Sequence, residues 1–368
     1  MTATSIPWAK RSSTHHRLAT IPLILFVAIA SIASPSASAA TLPAELVLEA
    51  WTQKSNHPLV GQVWIASNAR TVDGPAISRG IIVGSPIADA IGAKSNQLLL
   101  LGEIHDNPDH HLFRAGLIDA VTAPGAYGRT AHPAIVSEHI RADQAAALEA
   151  FSQRPAAPAG ELAQHLLEHL EWQRSGWPAA QMFKPLYTAI IEARLPIRPG
   201  DVSRERIRSL VRGGSASMPP DEATRLGFDR DWPAPLASAL ADEIQGSHCG
   251  MLPDAAIAGM SFAQRYRDAH LADAMVAAAE RYGGAILLAG NGHIRTDRGV
   301  PWYLRHRVGN RQILAVMLAE VEDGRTDPAA YAPRDPNGKP AVDVIVFTPR
   351  AQRDDPCEKM REHMRKTK

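Results

Sequence analysis

The sequence predicts an α/β protein: a mostly parallel central sheet flanked by helices, with an inserted helical subdomain. Three observations predict it. Six short apolar runs are continuous and bounded by turn residues, as strands buried on both faces are. Helical patterns long enough for crossovers separate them, and alternating strand and helix implies a parallel sheet. Three of the runs give way to glycine or serine and then to glutamate or histidine, which gathers chemistry at one edge of such a sheet. With 368 residues, 45% hydrophobic and 21% charged, the chain can bury a sizeable core.

Taken in order, the first element is a targeting segment. Lys10, Arg11, His15, His16 and Arg17 precede the apolar run LATIPLILFVAIASIA, and SPSASAA follows with Ala37 and Ala39 where a signal peptidase reads. Residues 1–39 are expected to be a cleaved signal, and the mature chain to be exported, periplasmic or secreted. Thr20, Pro22 and Ser31 interrupt the run, which falls short of the roughly 20 apolar residues of a span, so no stable membrane span is expected after cleavage. No cysteine follows the run to carry a lipid. Removing the segment takes away Lys10, Arg11 and Arg17 and no acid, leaving 36 basic residues against 38 acidic, a net charge of −2. That charge gives no reason to expect a nucleic-acid partner.

Residues 40–350 are expected to form the α/β domain. The run QLLLLG (97–102) is its first strand, and NPDHHLFRAGLIDAV reads as a helix with Pro108 near its start and Asp106 and Asn107 as capping residues. PAIVSE (133–138) is the second strand, followed by the helical patterns RADQAAALEAF and ELAQHLLEHLEWQ. After the third strand, LPIRPG (195–200), comes a long stretch with PLASALADEIQGSHCGMLP and the helix MSFAQRYRDAHLADAMVAAAERYG. These connections far exceed ordinary loops, so a helical insertion is expected over about 141–260. AILLAG (285–290), QILAVML (312–318) and VDVIVF (342–347) complete the sheet, and the loop DGRTDPAAYAPRDPNGKP is expected to precede an edge strand. Residues 351–368 form a charged tail, expected to be mobile and without function. Of the two cysteines, Cys357 lies in that tail and Cys249 far away in sequence, so the chain is read as having no bridge between them.

The strand ends carry the functional argument. Gly102-Glu103-Ile104-His105, Ser137-Glu138-His139 and Gly290-Asn291-Gly292-His293 all follow apolar runs, and parallel strands bring their carboxyl ends to one edge. Glycine at the exit lets the backbone turn and approach a neighbour closely. Histidine exchanges protons near neutral pH and binds metals, and a half-buried glutamate orients it or acts as a base. Glu103, His105, Glu138 and His293 are therefore read as one site, with helix capping as the competing role for Glu103 and His105. Asp268 shares a helical stripe with Gln264, Leu271 and Met275, which suits either a partnered acid at the site or a surface acid. No P-loop, G-x-S-x-G elbow or H-E-x-x-H helix occurs, which removes those nucleotide, serine-hydrolase and zincin readings.

LLLLGEIHDNPDHH, VSEHI, SHCGMLP, FAQRYRDAHLADAM and LLAGNGHIRTDRGVPWYL, spanning about Leu98 to Leu304 in that order, resemble the ChaN-like haem-binding uptake proteins of the Tiki, TraB and erythromycin-esterase superfamily. The resemblance implies an exported α/β protein of bacterial haem or iron uptake, a haem or iron complex as partner, and a homodimer holding haem between subunits. It also implies a metal or hydrolytic centre made by Glu103, His105, Glu138 and His293, with Asp268. The family's haem ligand is expected to be a tyrosine, and Tyr187, Tyr266 and Tyr303 are the candidates, each on a helical pattern beside apolar residues, where core packing is the competing role. The lipid-bearing cysteine of many relatives is missing here. Haem binding is the leading expectation. The alternative is a hydrolase, peptidase or esterase, in which His105, His293 and Glu138 hold a divalent metal such as manganese or iron, or in which His105 acts as a metal-free base.

Overall fold

The four leucines of the first run form a strand because every face of it is covered. A computed structural model describes residues 44–73, 98–122, 132–309 and 311–366; the signal expected at 1–39 lies outside them. Strand β3 (Leu98–Leu101) is buried along its whole length and pairs in parallel with β6 (Ala285–Leu288) on one side and β7 (Ile313–Glu320) on the other. Burying a leucine side chain is worth about 1.5–3 kcal/mol, so a run buried on both faces anchors the sheet. The full order is β2-β1-β8-β7-β3-β6-β4-β5, with β4 at Ala134–Arg141, β5 at Ile197–Asp201 and β8 at Val344–Thr348. These six are mutually parallel. Strands β1 (Gln62–Ile65) and β2 (Arg70–Asp73) add an antiparallel hairpin beside β8.

That hairpin corrects one expectation: β8 is an interior strand between β1 and β7, and β2 and β5 form the edges. The hairpin strands are only four residues each and their composition lacks a long apolar run, so no strand signal announced them.

Helices α1 (Ala44–Lys54), α2 (Pro108–Thr122), α3 (Ala145–Ser152), α4 (Ala159–His169) and α5 (Ala180–Glu192) precede β5. Helices α6 (Arg204–Gly213), α7 (Pro220–Leu226), α8 (Ala234–Ser247) and α9 (Asp254–Tyr282) lie between β5 and β6, followed by the short α10 (Val300–Leu304) and by α11 (Pro356–Lys366). Strand β5 thus divides the helical segments into two groups, and α9 continues past residue 260 to pack on the sheet. None of the helices among the described residues is long and apolar enough to cross a membrane.

Side chains alternate across a strand. In β4 this sends Ser137 and His139 toward α5, where they meet Tyr187 and Phe183, and sends Glu138 to the opposite face, where it meets Arg267 of α9. The tail is also corrected. Cys357 of α11 is joined to Cys249 in a disulfide across 108 residues, and Arg353 pairs with Asp106 and Glu320. Proximity of this kind arises from the fold and is invisible to spacing.

Candidate functional site

The β3, β6 and β4 registers align Leu101, Leu288 and Ser137, so the next residues of the three strands emerge side by side. Chain connections leave β3 and β6 in opposite directions across the sheet, the arrangement at which open α/β sheets hold ligands. Glu103, His105, Glu138 and His293 meet at this rim, and Asp268 joins them from α9.

On the α2 and α5 side, Glu103 is the hub. Its Oε1 accepts from His105 Nδ1 and from His139 Nε2, each at 2.7 Å, and its Oε2 is held by Arg114 of α2. Arg114 is wholly buried and also donates to the Leu101 carbonyl at 3.4 Å and to His111 Nδ1 at 2.9 Å. Burial lowers the Arg114 pKa to about 9. His111 Nε2 in turn donates to the His105 carbonyl at 2.9 Å, and burial holds this imidazole neutral, down at about 4. His139 Nδ1 meets Ser137 Oγ at 3.1 Å, which meets the Tyr187 hydroxyl at 2.9 Å. Burial, with Arg114 beside it, keeps His139 well below the usual histidine range. A continuous hydrogen-bonded chain therefore runs from Tyr187 to His105.

On the α9 side, Glu138 is the hub. Its Oε2 accepts the Gly290 N–H at 2.7 Å, and its Oε1 accepts from Arg267 at 2.7 Å and lies 3.1 Å from His293 Nε2. Arg267 also grips Asp201 at 2.8 Å. His293 Nδ1 lies 2.6 Å from Asp268 Oδ1. Burial disfavours its imidazolium, but the flanking Glu138 and Asp268 carboxylates prevail and push His293 up to about 10. Burial would raise Glu138, yet the cations His293 and Arg267 hold it well below the usual carboxylate range.

The two halves meet over Gly290. A Cβ there would lie 2.9 Å from His105 Cε1, 3.0 Å from its Nε2 and 3.7 Å from Glu138 Oε2, so only glycine lets the imidazole pack against this strand exit. Gly102 is similarly confined, by Asn291 and Ile294. His105 is set apart by exposure. Its side chain is 36% accessible, against 5% or less for Glu103, Arg114, Glu138, His139, Asp268 and His293. With Nδ1–H given to Glu103, its Nε2 carries the lone pair and has no protein partner among the described residues. Burial lowers its pKa, which favours the neutral, electron-donating form. Trp177 stands edge-on to both His105 and His139, with ring centroids at 4.8 and 5.0 Å, and its indole N–H donates to the His139 carbonyl at 3.1 Å.

The metal set expected at His105, His293 and Glu138 is not the one whose donor atoms converge among the described residues. His293 is flanked by two carboxylates, Asp268 at Nδ1 and Glu138 at Nε2. Donor atoms of Glu103, His105 and His139 do lie within 4.8 Å of one another and could hold a metal ion. In that set the Arg114 cation holds one Glu103 oxygen and the two imidazoles meet the other. The three tyrosines are all buried. Tyr187 bonds Ser137, Tyr266 bonds Glu222 and Arg206, and the Tyr303 hydroxyl is enclosed near Arg265, so none presents an oxygen at the rim. The capping role goes to Asn107, whose Oδ1 accepts the Asp109 N–H at 2.9 Å.

Arg114, Arg267, Asp201 and Trp177 complete the site with no sequence pattern naming them, together with His139, which the sequence places at a strand end without a role. Arg114 stands three residues after His111 in HHLFRAG and Arg267 directly before Asp268, helical spacings that could have flagged the first. Nothing local marks Trp177.

A family profile described as haem-binding uptake, Tiki superfamily, ChaN matches residues 91–304. Among solved structures, one described as cofacial heme binding to ChaN of Campylobacter jejuni is similar at 17% identity and a TM-score of 0.56, covering 77% of this chain and 95% of that one. A mutant of the erythromycin esterase EreC in its open conformation aligns at 13% identity and a TM-score of 0.39 over 76% of this chain and 98% of that one. No curated protein sequence matches.

Proposed function

We propose, from the premise that the chain belongs to the ChaN-type haem-binding uptake family of the Tiki superfamily, that it is an exported protein that takes up haem or an iron complex at the sheet rim. The observation that carries the reading is the isolation of His105: one half-exposed imidazole, oriented through Nδ1 and free at Nε2, beside buried Glu103, Glu138, His139 and His293. A neutral imidazole with its tautomer fixed by a carboxylate is a suitable donor to haem iron, whose axial ligands are drawn from histidine, cysteine, methionine and tyrosine. When bound, haem supplies a Lewis-acidic iron; Glu103 orients the imidazole, Arg114 and His139 hold Glu103, and Trp177 supplies a flat wall. Enclosure argues against Tyr187, Tyr266 and Tyr303 as the tyrosine ligand that the resemblance implies. A second copy of the chain covering the exposed haem face fits the homodimer expected from the family. The test is a titration of the mature protein with ferric haem, followed by its visible spectrum and by sedimentation. A saturable Soret band accompanied by doubling of the mass supports the reading; a spectrum identical to free haem removes it.

A second reading, metal-free hydrolysis, is favoured by one observation. His105 is held neutral and His293 protonated on either side of Gly290 and Glu138, which is the division of labour of a general base and a general acid. It predicts ester turnover that survives a chelator and is lost in His105→Ala.

A further inference from the structure

Beside the rim lies a cavity of about 340 Å³ whose lining includes Arg141, Trp177, Asp201, Arg204, Arg208 and Arg267. Two of its walls belong to the site already described: Trp177 packs on His105 and His139, and Arg267 holds Glu138. Four arginines and one acid line the cavity. Arg267 is neutralised by Asp201 and Glu138, and Arg141 by Asp143 at 3.0 Å. Arg204 spends its Nη2 on the carbonyls of Arg174, at 2.9 Å, and Ser175, neither of which cancels its charge. Arg208 has no ion pair or hydrogen bond among the described residues. The cavity therefore keeps two uncompensated cations, on the first turns of one helix, facing an aromatic wall.

We infer that this cavity is an oxyanion subsite, in which Arg204 and Arg208 receive a carboxylate or phosphate of a ligand whose body lies along Trp177 toward His105; the inference rests on reading the rim as a ligand site. Arginine forks match planar carboxylates and phosphates, and such charge-assisted bonds are the strong ones. The volume admits an acidic side arm and not a whole tetrapyrrole, so for haem the groups received are its propionates.

The experiment uses the mature full chain and the Arg204→Gln/Arg208→Gln variant. Both residues are exposed, and retention of the fold is checked by the thermal midpoint. Should that variant fail to fold, Arg208→Glu alone, at a residue without partners among the described residues, replaces it. Each protein is dialysed to equilibrium against radiolabelled phosphate, and titrated separately with haem and with haem dimethyl ester, whose carboxylates are blocked. The wild type is expected to retain phosphate and the variant at least about tenfold less, and the wild type's preference for haem over the ester to shrink in the variant. Equal phosphate retention by the two proteins, or none by the wild type, overturns the inference. If phosphate depends on the arginines but haem gives no band, the haem reading fails and the subsite stands.

Discussion

His105 donates its Nδ1 proton to Glu103 across 2.7 Å, and this one contact decides which nitrogen of the exposed imidazole is available to a ligand. Everything else that touches Glu103, Arg114 and His139 included, keeps the carboxylate in place to receive that proton.

Replacing Glu103 by glutamine keeps the shape and removes the charge, leaving Arg114 buried against a neutral amide. Uncompensating a buried ion pair costs on the order of 3 kcal/mol. Urea unfolding of Glu103→Gln should show a clearly lower midpoint; an unchanged midpoint would mean that Arg114 is neutralised elsewhere.

Stability should peak near neutral pH and fall on both sides. His293 is raised in the fold to about 10, so its contribution is complete below the unfolded value of about 6.5 and is lost as pH climbs toward 10. His110 accepts the Ile104 N–H through Nδ1 and gives Nε2–H to Thr348, and burial lowers it to about 3. A depressed histidine stabilises above about 6.5 and the benefit is lost as pH falls toward 3. Thermal midpoints measured from about pH 4 to 10 check both limbs, and His293→Gln should flatten the alkaline one.

Gly290→Ala tests the close approach at the strand exit. The methyl group would meet the His105 ring at 2.9 Å, and a half-exposed ring can swing away at little cost to the core. Ligand affinity at the rim is expected to drop at least tenfold, about 1.4 kcal/mol, with the unfolding midpoint nearly unchanged. A midpoint collapse without loss of affinity would contradict the placement of His105.

Much of this centre is legible in the chain itself. Parallel topology follows from LLLL, AIVS and AILL with helices between them, and it forces Glu103, Glu138 and His293 to a common rim. What is not legible depends on long-range packing. The partnership of Asp268 requires knowing that α9 crosses the sheet at His293, and the role of Trp177 depends on a turn between α4 and α5. The bridge between Cys249 and Cys357 is of the same kind: closing a long loop is an entropic matter that no local pattern reports.

That bridge should matter for the tail. Cross-linking residues 108 apart removes unfolded-state entropy worth up to roughly 5 kcal/mol in the loop-closure account. Cys357→Ser should lower the thermal midpoint and expose Arg350 to Lys366 to trypsin, while the intact protein shows no thiol reactive to Ellman's reagent. A free thiol in the oxidised mature protein would contradict the pairing.

His105 is the group through which the proposed rim site meets its ligand. The most direct measurement is the visible spectrum of ferric haem added to wild type and to His105→Ala, with and without free imidazole. The wild type is expected to show a shifted Soret band, the variant to lose it, and imidazole to restore it. An identical haem spectrum for both proteins in the absence of imidazole would contradict this role of His105.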